Sequence, residues 1–277
     1  MTLLAFALVA SASAESLVPF EPVEKTLPGS IPELEILSGF GDVVVSRDAG
    51  ASKTLLIATP TNWQDDCELR FGGDRDKAIV EIARTEGGTL RRCKIDLELV
   101  LAGDTELAIE GRSGDIALWG TTAPVSVDLG SGRVSVNDVT GPLDLYVGTG
   151  RIQGTTTSQA INAYVSVGRI ELDGLMAPLE AEVGMGRVAL TYAAVPAGRV
   201  WARAGVGRVA VDFPYGSWLD TTLDTTIGRV KSQIPFSADA YTHLEASTRV
   251  GNIEIGTVLD MSGADLATSV TEPEIEE

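Results

Sequence analysis

The sequence predicts an all-β chain: a β-solenoid, or β-helix, of short two-strand coils, about 18–23 residues per coil, with an irregular β cap at its N-terminal end. Three observations predict it. A short phrase, glycine then a polar residue then Val or Ile, recurs at a fixed step. Between recurrences the apolar residues alternate with period two, the pattern of half-buried strands. The composition fits a narrow aliphatic core: 44% hydrophobic but only 5% aromatic, with 30 glycines in 277 residues. That much apolar material excludes wholesale disorder.

The chain opens with MTLLAFALVASASA. Leu3 to Val9 form a short apolar stretch and Ala12-Ser13-Ala14 supply small residues at the spacing a signal peptidase accepts. Residues 1–14 are therefore expected to be a signal peptide, although no Lys or Arg precedes the apolar stretch. It is too short to span a bilayer, which takes about 20 apolar residues. No other stretch is long and apolar enough, so no transmembrane segment is expected. The predicted location is periplasmic or secreted.

Residues 15–109 read as an irregular β cap continuous with the coils. Leu34 and Ile36 alternate, and Gly39-Phe40-Gly41-Asp42-Val43 states the recurring phrase early. Cys67 and Cys93 both lie in strand-like segments, CELRF and RRCKIDLELVL. After export an even cysteine count suggests a disulfide, and adjacent strands would bring these two together.

Residues 110–258 carry the regular repeat. The phrase falls at Gly114-Asp115-Ile116, Gly132-Arg133-Val134, Gly150-Arg151-Ile152, Gly168-Arg169-Ile170 and Gly186-Arg187-Val188, each 18 residues after the last. It continues at Gly207, Gly228 and Gly251 with steps of 21, 21 and 23. Many units carry a second glycine two residues earlier, as at Gly130, Gly148, Gly184 and Gly205, which suggests a corner needing positive φ or close approach. A unit of two strands cannot bury its apolar row alone, whereas stacked units can. The alternative is a twisted meander sandwich; the constant step favours the solenoid. Residues 259–277, ending TEPEIEE, form an acidic tail expected to be disordered.

The stretch IDLELVLAGDTELAIEGRSGDIAL and the serial G-x-G-[DR]-[VI] units that follow resemble the bacterial DUF4097 proteins. These are adhesin-like β-solenoid proteins related to autotransporter-adhesin head domains. The resemblance covers residues 31 to 258. It implies an extracytoplasmic or envelope-associated, non-enzymatic protein, and it brings no catalytic residues. Where that family commonly has Asp after the corner glycine, this chain repeatedly has Arg.

Several functions are excluded or disfavoured. With 21 basic and 39 acidic residues the net charge is −18, a poor match for a nucleic-acid backbone. Gly130-Ser131-Gly132-Arg133-Val134-Ser135 lacks the third glycine of a dinucleotide fingerprint. Two cysteines and one histidine leave little for a zinc site. His243 reads as a surface-loop residue, no nucleophile elbow surrounds a serine, and no cofactor is expected. A carbohydrate-active β-helix enzyme needs a cleft of long loops and aromatics, for which these units are too short.

Two features remain as candidate sites. Arg133, Arg151, Arg169, Arg187, Arg208 and Arg229 each follow a corner glycine, so stacking predicts one stripe with neighbours about 5 Å apart. Carboxylates such as Asp128, Asp144, Glu180 and Glu182 offer internal compensation. The planar guanidinium fork also suits an external carboxylate, phosphate or sulfate, so the stripe is a candidate anion-binding site. Tyr146 and Tyr164 share one phase and predict an outward aromatic ladder. The expected function is an adhesin-like structural or interaction role at the bacterial envelope, toward an unidentified envelope or polysaccharide partner. The alternative is a ligand-binding envelope protein that recognises an anionic polysaccharide or a cationic peptide, and the second alternative is the carbohydrate-active β-helix enzyme.

Overall fold

A computed structural model describes residues 15–17, 21–27, 31–84 and 93–258. The predicted signal peptide, 1–14, and the predicted tail, 259–277, lie outside the described residues. Sixteen strands and no helix are present among the described residues, and all sixteen belong to one sheet. Accordingly, among the described residues no helix is long and apolar enough to cross a membrane.

The repeat units from 106 onward form β9 (Glu106–Trp119), β10 (Val125–Val139), β11 (Leu143–Thr156), β12 (Ile161–Leu175), β13 (Leu179–Tyr192), β14 (Gly198–Pro214), β15 (Asp220–Ser232) and β16 (Thr242–Val258). Neighbours in this stack are parallel and in register. Gly132 sits beside Gly150, Gly150 beside Gly168, Gly168 beside Gly186 and Gly186 beside Gly207. Each unit is a single bent strand rather than two separate short ones, because the corner glycines pair with one another and carry the ladder through the bend. Around the corner the alternation slips by one. Leu129 and Val134, five residues apart, are both buried, so the arms before and after the bend face the same core.

The corner itself explains the glycine. Gly168 has φ +145°, and a Cβ there would sit 1.7 Å from the carbonyl oxygen of Gly150 in the neighbouring strand. Only glycine reaches that backbone region cheaply and leaves the space empty. The earlier glycines of the pairs work differently. Gly148 is not in the positive-φ region but would bring a Cβ to 2.5 Å from the Gly130 carbonyl. Ser166 and Arg112 occupy the same position in other strands, so glycine favours close approach there without being obligatory.

Inside, aliphatic residues stack in columns. Val134, Ile152, Ile170, Val188 and Val209 line one, and Leu129, Val147, Val165 and Val183 another, all fully or almost fully buried. Burying each such side chain stabilises by about 1.5–3 kcal/mol, which holds the stack together without aromatics. Tyr192 and Phe213 are the exception, stacked 4.7 Å apart inside the core near the C-terminal end.

At the N-terminal end, β3 (Glu33–Phe40) and β4 (Val43–Arg47) together form one further level of the sheet. Leu34 lies beside Leu107, Phe40 beside Ser113 and Val43 beside Ile116. β7 (Lys77–Arg84) and β8 (Lys94–Leu101) pair in parallel with β3 and β4. Thereafter the direction changes: β6 (Cys67–Gly73) pairs antiparallel with β7, and β5 (Thr54–Asn62) with β8. β1 (Glu15–Leu17) and β2 (Val23–Leu27) complete this end against β6 and β5, also antiparallel. Cys67 and Cys93 are joined by a disulfide, Cα atoms 5.5 Å apart, both fully buried. It ties β6 to the start of β8 across a loop of 26 residues.

At the C-terminal end the spatial order departs from the chain order. The stack runs β14-β16-β15, so β16 is inserted between β14 and β15. The inward residues give the reason. β16 offers Leu244, Ala246, Ile253 and Ile255, all buried, whereas the matching positions of β15 are Thr221, Leu223, Val230 and Ser232. Placing the more apolar strand between two neighbours and the more polar one at the edge buries more hydrocarbon.

Candidate functional site

The residue after each corner glycine projects from the outside of the bend, and these residues form one column across the stack. Read strand by strand it runs Asp42, Asp115, Arg133, Arg151, Arg169, Arg187, Arg208, Asn252, Arg229. The stripe predicted from sequence therefore holds for five consecutive arginines, Arg133 to Arg208. It does not hold for the sixth. Because β16 is inserted, Arg208 and Arg229 are not neighbours but flank Asn252.

The two kinds of residue in this column do different work. Asp and Asn turn back onto the corner. Asp96 Oδ1 accepts from the Asp42 N–H at 2.9 Å, Asp42 Oδ1 from the Asp115 N–H at 2.9 Å, and Asp115 Oδ1 from the Arg133 N–H at 3.1 Å. Asn252 Oδ1 does the same for the Arg229 N–H at 3.1 Å. These side chains satisfy a backbone donor that the sharp bend turns away from its usual carbonyl. Sequence inspection missed this ladder because its first members, Asp96, Asp42 and Asp115, are scattered along the chain. An arginine has five donors and no acceptor, so it cannot take this role.

The arginines are only partly compensated. Arg133 lies 3.6 Å from Asp115 and Arg169 lies 3.7 Å from Glu171. Arg151, Arg187, Arg208 and Arg229 make no ion pair within 4.0 Å among the described residues. Arg187 acts at longer range on Asp212, which sits half-buried on the same side of the bend. Burial pushes the Asp212 carboxyl above its usual range, against the opposing pull of Arg187, while Glu254 adds to the rise. The acids expected to balance the stripe are elsewhere. Asp128, Asp144, Glu180 and Glu182 lie on the outer face of the arm before the corner, and of these only Glu182 meets an arginine, Arg203 at 3.8 Å.

That other face carries the aromatic ladder. Tyr146 and Tyr164 stack with centroids 5.1 Å apart and planes 7° apart, as the shared phase predicts. They border a shallow depression of about 200 Å³ with Asp144, Asn162, Glu180 and Trp201. Each ring spends one face on the other, which makes the pair a cross-strand contact and leaves no broad exposed platform for a sugar. His243 is not in a loop: it lies near the start of β16, and its Nδ1 is 2.8 Å from Asp220 Oδ2 on β15. This contact joins the inserted strand to the edge strand. Asp66 lies beside Cys67 and Cys93, but the sulfurs are bonded to each other and so are not available as thiolate ligands.

No family model matches the chain, and no curated protein matches it. Solved structures do. A candidate adhesin from Bacteroides fragilis aligns with a TM-score of 0.52 at 13% identity, over 86% of this chain and 98% of that one. The fold is shared. A candidate cell adhesion protein from Clostridium sporogenes (14% identity, 86% and 100% coverage, TM-score 0.29) and a candidate lipid binding protein from Parabacteroides distasonis (14%, 86% and 97%, 0.33) align far more loosely. At 13% identity the first likeness is one of fold alone.

Proposed function

We propose that this chain is an exported, non-enzymatic β-solenoid of the DUF4097 type. It acts as an adhesin-like interaction protein at the bacterial envelope, and its arginine column contacts an extended anionic polymer. One observation carries the reading. At a position where Asp and Asn serve the fold by accepting a corner N–H, five consecutive coils place Arg, which serves no corner bond. A row of guanidiniums about 4.8 Å apart suits a repeating anion such as an acidic polysaccharide, because each strand adds one fork per step. On a chain of net charge −18, these cations gather on one edge rather than scatter.

Export is supported by the N-terminal segment as read from sequence and by the Cys67–Cys93 disulfide, which persists in oxidising compartments. The shared fold with a candidate adhesin agrees with an interaction role.

The test is retention on immobilised polygalacturonate. Wild type is expected to bind at low salt and to elute as ionic strength rises, since exposed charge pairs are screened within about 10 Å at 0.1 M. The triple variant Arg151→Ala, Arg169→Ala, Arg187→Ala should pass through unretained at every salt. Its melting point should barely move, because exposed ion pairs contribute only about 0–1 kcal/mol. Equal retention of the two proteins would remove the binding role.

A further inference from the structure

β15 ends the stack, and among the described residues it pairs in a ladder with β16 alone. Its far side thus presents a row of backbone N–H and C=O groups, the feature that sheets ordinarily shield with proline, a bulge or clustered like charge. β15 has none of these. Its charged residues are Asp220, Asp224, Arg229 and Lys231, two of each sign, so the strand is neutral within a chain of net charge −18. The core is also left open here. Val230 occupies an inward position yet is 43% exposed, while its counterparts Val209 and Ile253 are fully buried. Ile227 at the corner is 64% exposed, and Trp218 and Phe236, in the connections on either side of the strand, are exposed as well.

We propose that β15 is the interface of a homodimer, in which the β15 of a second copy pairs antiparallel across a two-fold axis through the corner. The bent strand is its own complement. Its inward residues are Leu223 and Thr225 before the bend and Val230 and Ser232 after it. Reversing the strand lays inward positions on inward positions when Thr225 faces Val230 and Leu223 faces Ser232. That same register sets corner on corner. It also brings Asp224 of each copy opposite Lys231 of the other, twice by symmetry, and Ile227 opposite Gly228, which has no side chain to obstruct it. Such an isologous contact closes on itself, so the open edge is consumed without propagating into a fibre. The two copies meet at a neutral strand, where the repulsion between like-charged chains is locally weakest.

The test is sedimentation equilibrium on the full chain, with circular dichroism and melting to check the fold of each variant. Wild type is expected to dimerise. Asp224→Lys alone and Lys231→Asp alone should each weaken association by about tenfold or more, because each sets like charges opposite twice. The double variant, Asp224→Lys with Lys231→Asp, should recover it, since the swapped pair is again complementary. A wild-type protein that stays monomeric overturns the proposal, as does a dimer indifferent to the single swaps. If a chain ending at Val258 dimerises while the full chain does not, residues 259–277 occupy the edge and the proposal also falls.

Discussion

Gly168→Ala is expected to destabilise the protein by about 4 kcal/mol, a large effect for a single methyl group. Two costs add. The backbone at φ +145° is one that an L side chain rarely adopts, and strain of that kind costs about 1–3 kcal/mol. The new Cβ would also stand 1.7 Å from the Gly150 carbonyl oxygen, inside a ladder that cannot open without separating two paired strands. Overpacking adds about 1–3 kcal/mol. In a protein of this size the melting temperature should fall by about 10 °C. Gly72→Ala is the control, because a Cβ there meets nothing within 4 Å and φ is not in the positive range. It should stay within about 0.5 kcal/mol of wild type. Similar melting of the two variants would mean that the corner is not packed coil on coil.

Removing the disulfide has the second largest expected effect. The bond closes a loop of 26 residues, worth about 3.5 kcal/mol in the chain-entropy model. It also holds together the end of the stack where parallel pairing gives way to antiparallel pairing. Replacing both Cys67 and Cys93 by Ala should therefore lower stability by about 3–4 kcal/mol and leave the strand content of the circular dichroism spectrum unchanged. In the unreduced native protein neither thiol should react with a labelling reagent. Identical denaturation curves with and without reductant would show that the cross-link contributes nothing.

The stack was legible in the sequence wherever one coil follows another at a constant step. Gly132 to Gly186 announce parallel register because an 18-residue period places identical residues side by side, and Tyr146 over Tyr164 follows from the same arithmetic. What was not legible came from pairing that the chain order does not encode. The corner phrases of β14, β15 and β16 are nearly identical, so nothing in them says which sits beside which. Two weaker signals existed. The steps lengthen to 21 and 23 around Gly228, as a crossover that skips a level and returns requires, and the inward positions of β15 turn polar at Thr221, Thr225 and Ser232. The function of the corner aspartates was hidden for a similar reason: Asp42 reaches Asp115 across 73 residues. The arginines could be placed in a column from spacing alone, but their ion partners depended on which arm of the bend each acid occupied.

The inserted strand has a consequence for how the protein is made. Synthesis delivers the N-terminal coils first, and β10 to β14 each emerge beside a finished edge that serves as template. β15 emerges without its partner, since residues 242–258 are still to come. The exposed edge at that moment is β14, whose Gly207-Arg208-Val209 matches Gly228-Arg229-Val230 in every residue type. A nascent chain arrested at Tyr241 is therefore expected to dock β15 on β14, with its amides protected from exchange there. In that case β16 would have to displace β15 to reach its place, an exchange that its larger inward hydrocarbon surface favours. The expected result is that the last two strands mature together, after a decoy pairing that the repeat itself supplies.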